Sequence, residues 1–302
     1  MKSILKEFQK NKVLYLLLIV PFIVLILFYY VPMYGIQIAF KDYNLAKGIF
    51  ESPWVGMKHF ARFFTNPQFW TILRNTLVLS LYGLATFPLS IILALLLNYI
   101  PSKRFGKAVQ MISYIPYFLS TVVICGMILQ FFDARSGVFN AFMGLFGVST
   151  QNYMSNPAAY PHIFVWTGVW QGIGYGSVIY IATLSGVSPE LHEAAIVDGA
   201  SIMQRIRYVD LPSIMPTIAI LLIMNCGGIL NSNFEKGYLL QNSLNTATSE
   251  VIGTYVYKQS FKSALPQYSY STAIGLFNSV VNMILLFIVN KLSDKFNGNS
   301  LF

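Results

Sequence analysis

The sequence VLYLLLIVPFIVLILFYYVPMY, residues 13–34, decides the class of this protein, because it contains no charged residue. A helix needs about 20 mostly apolar residues to cross the roughly 30 Å of hydrocarbon in a bilayer. Lysines precede this run, as in a secretory signal peptide, but a signal peptide has a shorter apolar core of about 7–15 residues. Residues 13–34 also end in tyrosines around Pro32 rather than at a small-residue cleavage site. They therefore predict a retained membrane anchor.

The composition of the whole chain agrees with a membrane protein. Of 302 residues, 55% are hydrophobic and 10% are charged, whereas soluble domains carry about 25% charged residues. Further apolar runs predict five more spans, at 72–99, 109–131, 162–184, 213–230 and 272–289. We therefore expect an all-α membrane protein with six transmembrane helices, and a soluble enzyme is excluded.

The orientation follows from the lysines and arginines, which favour cytoplasmic loops. They cluster in four short segments on the N-terminal side of the membrane: residues 2–12, 103–107, 205–207 and 291–295. An even number of spans places both termini in the cytoplasm, with an arm at 1–12, a six-span domain at 13–291 and a tail at 292–302. The net charge of +9 then records topology, and we expect no nucleic-acid partner.

The segment between the first two spans is long and aromatic. Phe60, Phe63 and Phe64 are spaced i, i+3, i+4, which predicts one apolar stripe on a helix. We expect this helix to lie along the outer face of the membrane, among lipid headgroups.

The segment SGVSPELHEAAIVDGASIMQRIRYVDL, residues 185–211, is the most informative part of the chain. Ser188 is a good N-cap for a short helix, and Gly199 can end it in the left-handed conformation. Ser201 can cap a second short helix, which Pro212 is expected to close. An ordered helix pair between two membrane spans indicates a docking partner in the cytoplasm.

Within this loop the chain resembles a known family. Glu193-Ala194-Ala195, three residues, Gly199, nine residues and Val209-Asp210-Leu211-Pro212 resemble the EAA loop of ABC importer permeases, the binding-protein-dependent transport components of the bacterial cell membrane. The family pattern has Ile where this chain has Val209, a conservative change. Further segments resemble permeases of sugar, oligosaccharide and polysaccharide systems: residues 55–60, 69–70, 75–76, 238–240, 250–252, 254–257 and 268–269.

The resemblance implies a type I ABC importer permease fold in which the EAA loop couples to a cytoplasmic ATPase. The residues to which it assigns this coupling role are Glu193, Ala194, Ala195, Asp198, Gly199, Leu211 and Pro212. The chain has no G-x-x-x-x-G-K-[ST] phosphate loop, so ATP and Mg²⁺ are expected on a separate ATPase dimer and no cofactor on this chain. The resemblance also implies a second, related permease as heterodimer partner, an extracellular solute-binding protein and an oligosaccharide substrate, carried by alternating access within membrane lipid.

Two other functions, a zinc protease and an ion-coupled carrier, fit the sequence less well. The sequence His192-Glu193-Ala194-Ala195-Ile196 is one residue short of the H-E-x-x-H zinc-protease motif, because Ile196 cannot bind a metal. An ion-coupled carrier would place ionisable residues at mid-depth, and the predicted spans have almost none. A permease for a non-sugar substrate and a free-standing carrier or channel remain alternatives at this point.

Polar and aromatic side chains in the last three spans are candidates for the substrate pathway, because sugars offer hydroxyls and apolar ring faces. These candidates are Trp166, Trp170, Gln171, Tyr175, Asn225, Asn231, Asn278 and Asn282. Each of them can equally serve as a hydrogen bond between helices or as an interface anchor. Gly168, Gly172 and Gly176 form a small-residue face that predicts tight packing on a neighbouring span or subunit. The scarcity of charge suits a neutral or mildly acidic saccharide.

Overall fold

The computed structural model describes residues 11–231 and 233–297, most of which are helical. The α-helices are α1 (Lys12–Leu25), α2 (Val31–Met33), α3 (Gly48–Glu51), α4 (Lys58–Phe64), α5 (Phe69–Ala85), α6 (Pro88–Asn98), α7 (Lys103–Tyr114), α8 (Thr121–Phe131), α9 (Val138–Gly144), α10 (Tyr160–Ser185), α11 (Pro189–Val197), α12 (Ile202–Arg205), α13 (Leu211–Gly227), α14 (Phe234–Leu240), α15 (Thr246–Ser249), α16 (Ile252–Tyr257) and α17 (Tyr268–Asn297). Shorter 3-10 helices lie at Tyr34–Phe40, Ile115–Phe118 and Tyr153–Ser155, and π-helical turns lie at Ile26–Tyr30, Ile206–Asp210 and Lys258–Lys262. Most of the predicted cytoplasmic arm and part of the tail lie outside the described residues.

The chain divides into two compact units. Unit 1 comprises residues up to 66 together with 256–277, and unit 2 comprises 67–255 together with 278 onward. In unit 1, α1 continues through a π-helical turn and α2 into a 3-10 helix that ends at Phe40. None of the residues of α1 is buried, and such a fully apolar, uncovered helix is stable only against hydrocarbon or another apolar surface.

The aromatic stripe of unit 1 lies on α4, as its spacing predicts, and two of its three residues are buried while Phe64 is exposed. Phe60 and Phe63 are buried within the unit, and Phe60 clusters with Ala39 and Ala273. The ring of Phe63 meets that of Phe277 edge-on, with centroids 5.8 Å apart. The expected outer-face helix therefore uses its apolar stripe to pack on α17, because this contact also removes the rings from water.

Unit 2 is built around α10, which packs against α5, α6, α7 and α13. Close approach at two glycines allows this arrangement. A Cβ atom added to Gly174 would lie 2.1 Å from the backbone oxygen of Ser113 on α7, and one added to Gly176 would lie 2.7 Å from Oγ of Ser90 on α6. Any larger residue at Gly174 would therefore push the two helices apart.

Four helices in the described part of the chain are long and apolar enough to cross a membrane: Lys12–Phe40, Phe69–Asn98, Ile202–Gly227 and Tyr268–Lys295. The predicted third span is not straight, because Lys103–Phe118 and Thr121–Phe131 meet at 101°. Pro116 lies at this break, and a proline removes a helical hydrogen bond. The predicted fourth span is the helix α10, which is long enough but less apolar. Of the six expected spans, the described part of the chain thus supports four by length and composition, or five if the bent pair counts as one span.

Candidate functional site

The loop between α10 and α13 begins with the short helix α11. Gly199 follows it with φ of 77°, the left-handed conformation that its sequence position predicts. Ser201 then caps α12 in a reciprocal arrangement, because its hydroxyl accepts from the backbone of Gln204 and the side chain of Gln204 accepts from the backbone of Ser201. Ser188 precedes α11 as predicted, but its side chain makes no capping hydrogen bond.

Pro212 does not close the second helix as expected. Helix α12 continues through the π-helical turn Ile206–Asp210 directly into α13, so that Ile202–Gly227 is one helix. A proline inside a helix clashes with the carbonyl of the residue four positions earlier. The wider π turn relieves this clash just before Pro212, and the loop is therefore continuous with a membrane-crossing helix.

A buried carboxylate fastens this loop to another helix of unit 2. Asp210 is fully buried, and the hydroxyl of Tyr99, directly after α6, donates to its Oδ2 at 2.6 Å. Nε2 of His192 on α11 lies 3.3 Å from Oδ1, without hydrogen-bond geometry. The guanidinium of Arg205 stands over the ring of Tyr99, 5.3 Å from its centroid. The end of α6, α11 and the start of α13 are thus joined at one polar cluster, which we call the Asp210 cluster.

The surface of the loop is largely uncovered. Four of the residues assigned to coupling on α11 and its turn are exposed, namely Glu193, Ala194, Asp198 and Gly199, while Ala195 is half-buried. Leu211 is half-buried and Pro212 is exposed. Apolar side chains are exposed beside them, including Leu191, Ile196, Val197 and Met203. Large exposed apolar patches mark interaction sites, so this loop has the chemistry of a docking surface.

A second feature of unit 2 is a cavity of about 1010 Å³ between α5, α6, α10 and α13. This volume is at the upper end of the roughly 300–1,000 Å³ that small-molecule sites occupy. Of the eight residues expected along the substrate pathway, Gln171, Tyr175, Asn225 and Asn231 line it. The face formed by Gly168, Gly172 and Gly176 also lines it. These glycines therefore keep the cavity open as well as allowing the contact with α6.

The other four candidates lie outside the cavity wall and make local contacts. Nε1 of Trp166 donates to the hydroxyl of Tyr82 at 2.8 Å, and Trp170 is partly exposed. The amides of Asn278 and Asn282 both donate to Oδ1 of Asn231, at 2.8 and 3.1 Å. The two asparagines of α17 thus hold a cavity residue in place and fasten the segment after α13 to α17.

Two features of the cavity wall were missed in the sequence. Tyr117, at the break before α8, stacks on Tyr175 with centroids 3.8 Å apart and nearly parallel rings. Lys236 on α14 lines the cavity with only 2% of its surface exposed, and desolvation lowers the pKa of its ammonium to about 8. The cavity is therefore not free of charge. The asparagine-rich segment around α14 could have indicated a polar site. An isolated lysine between two predicted spans, however, is typical of a solvent-exposed loop.

Two motifs that support the family resemblance meet in the structure. The amide of Asn75 donates to the carbonyls of Ala247 and Glu250, at 3.0 and 3.1 Å. The backbone of Ile252 donates to the hydroxyl of Thr76 at 3.0 Å. The start of α5 is thus fastened to the segment that runs from α15 into α16, which places α14 and its lysine against α10.

An all-helical membrane protein with a cavity between its helices and an uncovered helical loop has the architecture of a transport permease. Residues 86–297 match the family model described as the binding-protein-dependent transport system inner membrane component. The chain therefore belongs to this family of multi-pass inner-membrane permeases.

Similar proteins narrow the class of substrate. The chain is 39% identical to the polygalacturonan/rhamnogalacturonan transport system permease protein YteP of Bacillus subtilis, over 100% of this chain and 94% of that protein. It is 40% identical to Protein LplB of the same organism, over 97% and 92%. A crystal structure of a bacterial ABC transporter that imports the acidic polysaccharide alginate superposes with a TM-score of 0.89, at 35% identity over 98% and 99% of the two chains. The protein is thus a permease of a sugar or oligosaccharide ABC importer, rather than a free-standing carrier or a non-sugar permease.

Proposed function

We propose that this chain is one of two related permease subunits that carry an oligosaccharide across the membrane by alternating access. The central cavity supports this proposal. It combines amide groups, such as Gln171 and Asn225, with the stacked rings of Tyr117 and Tyr175. Amides hydrogen-bond sugar hydroxyls, and aromatic rings offer flat apolar faces to the C–H side of a sugar ring.

Energy enters through the loop at 185–212, which docks on a cytoplasmic ATPase. The single observation that carries this step is that α11, between two long helices, has no buried residue and exposes apolar side chains next to Glu193. The Asp210 cluster supports it, because movement of α11 would pass directly to α6 and α13. Ala194 and Ala195 allow close approach of the ATPase, and Gly199 sets the turn.

The rest of the assembly is proposed from the family. The six predicted spans place both termini in the cytoplasm, and ATP with Mg²⁺ is bound by the partner ATPase dimer. An extracellular solute-binding protein delivers the saccharide. An alginate transporter related to this chain has been crystallised in complex with a periplasmic protein bound to alginate pentasaccharide, which supports the same arrangement here.

The coupling step is tested with Glu193→Lys, which reverses a charge on the proposed docking face. Uptake of saccharide and its stimulation of ATPase activity are measured in the assembled transporter. Both should fall by about tenfold or more, because a like-charged or unpaired group at a docked interface costs several kcal/mol. Glu190→Lys, a charge reversal in the first turn of the same helix, is the matched control. The control should retain wild-type uptake and stimulation. If Glu193→Lys retains them as well, the coupling assignment is wrong.

A further inference from the structure

The lysine in the cavity wall has an unusual environment. Nζ of Lys236 donates to the carbonyl of Phe164 on α10 at 2.8 Å and lies 5.1 Å from the centroid of the Phe164 ring. The backbone N–H of Lys236 is held by the side chain of Asn233, which caps α14. The backbone of Lys236 is therefore held by the helix cap, and its ammonium is held by the carbonyl of Phe164.

This ammonium has no ionic partner within the part of the chain that the structure describes. The contacts between basic and acidic side chains seen there involve other residues, such as Lys58 with Asp42. An ammonium has three donors, and the contact with Phe164 uses one of them. Burial of an unpaired charge is costly, so a lysine that served only to bridge two helices would be a poor choice at this place.

The ammonium belongs to a residue of the cavity wall, although only 2% of the lysine surface is exposed. Gly168 contributes no side chain beside the charge, and a Cβ atom built on it would lie 3.4 Å from Nζ, at van der Waals distance. The other polar side chains that line the cavity are uncharged: amides such as Gln171 and Asn225, and hydroxyls such as that of Ser80. The cavity thus offers several hydroxyl-binding groups and one cation.

We propose that the cavity binds an acidic oligosaccharide, and that Lys236 pairs with a carboxylate of one sugar unit as it passes. This inference rests on the proposed transport function and adds the substrate class and the residue that selects it. A single fixed ammonium complements one carboxylate, and the pair is strengthened because both groups are shielded from water. The amides and the tyrosine stack bind the remaining sugar units, whose hydroxyls are uncharged.

The test compares trigalacturonate with its fully methyl-esterified form, in which each carboxylate is replaced by an uncharged methyl ester. Binding is measured by calorimetry at pH 7 on the assembled transporter in lipid nanodiscs, and ATP-dependent uptake is measured in proteoliposomes with the binding protein. The variants are Lys236→Met, an unbranched side chain one atom shorter and without charge, and Lys236→Arg, which keeps the charge. Lys47→Met, at an exposed lysine, is the control. We expect Lys236→Met to weaken binding of the acid by about tenfold or more and to leave the ester unchanged. Lys236→Arg should retain the preference for the acid.

A second measurement leaves the lysine in place, which covers the case in which Lys236→Met fails to assemble. Raising the pH from 7 to 9 should deprotonate Lys236 and weaken binding of the acid in the wild type, but not in Lys236→Arg. The other titratable groups near this site, Cys125, Tyr160, Glu235 and Glu250, are present in both proteins and are thereby controlled.

Three results would overturn the inference: equal loss of acid and ester in Lys236→Met, no loss of either, or equal binding of both by the wild type. A wild-type complex that transports a neutral saccharide but binds neither probe would overturn it as well. Absence of ATP-dependent uptake of any saccharide is a different result, which contradicts the proposed transport function itself.

Discussion

The Asp210 cluster makes a prediction that can be measured as an interaction free energy. Tyr99→Phe removes one hydroxyl and leaves the ring under Arg205, and Asp210→Asn removes the charge with almost no change of shape. The two residues are 111 positions apart in the chain, so a contact between them reports tertiary structure. Each single variant and the double variant are made in the assembled transporter.

The size of the effect follows from burial. A hydrogen bond to a charged group contributes about 1.5–3 kcal/mol, and the 2.6 Å separation of Tyr99 Oη from Oδ2 indicates a bond of this kind. Tyr99→Phe should therefore destabilise by about 1.5–3 kcal/mol. Asp210→Asn should cost a comparable amount, because it replaces the acceptor of the same buried hydrogen bond. The double variant should cost less than the sum, with a coupling of about 0.5–3 kcal/mol.

Thermal and denaturant unfolding of the purified complex measure this coupling, and the ratio of saccharide transported to ATP hydrolysed measures its functional effect. We expect this ratio to fall in both single variants, because α11 would no longer be fastened to α6 and α13. Tyr208→Phe removes a hydroxyl from an exposed tyrosine in the adjacent π turn and serves as control. Strict additivity of Tyr99→Phe and Asp210→Asn, with normal coupling of transport to hydrolysis, would refute the assigned role of the cluster.

Three further predictions concern backbone and charge. Gly199→Ala should lower the unfolding temperature and the transport ratio, because φ of 77° costs an alanine about 1–2 kcal/mol; unchanged unfolding would contradict the turn assignment. Gly174→Ala should prevent assembly of the complex, because its Cβ would lie 2.1 Å from a backbone oxygen of α7. Gly172→Ala is the control and should assemble, since its Cβ would meet nothing within 4 Å. Size-exclusion chromatography of the two variants measures assembly. The hydrogen bond from Lys58 lowers the pKa of Asp42 below its usual 3.8, so the resulting stabilisation is present above that value and lost as the pH falls through the lowered pKa. Because this pair is well exposed to solvent, Asp42→Asn should lower the free energy of unfolding by less than about 1 kcal/mol at pH 7. Unfolding measured as a function of pH tests this, and a larger loss of stability would contradict a solvent-screened pair.

Local spacing along the chain was sufficient to predict the class of protein and the turn and cap in the loop at 185–212. The uncharged run at 13–34 predicts a membrane helix because the backbone hydrogen bonds within itself in lipid. Gly199 and Ser201 predict a turn and a cap because both depend on conformations and hydrogen bonds within four residues. The spacing from Glu193 to Pro212 identified the family, which the matches then confirmed.

Whether a helix bends or continues at a proline could be seen only in the tertiary structure. Pro212 looks like a helix terminator, yet a π turn just before it allows the helix to continue. Pro116 looks like an interruption within one span, and the two halves meet at 101°. A proline removes the same hydrogen bond in both cases, and the packing of neighbouring helices decides whether the chain bends or continues.

The sequence by itself thus determined that this is a helical membrane permease and where its exposed loop lies, because hydrophobic runs and turn residues act over short distances. Only the tertiary structure decided which polar residues act together. It buried Asp210 against Tyr99, placed four of eight candidate residues in a cavity wall and brought Lys236 from a loop to that wall. The physical reason is that burial of a charge depends on which distant helices surround it, and no spacing within one segment records that environment.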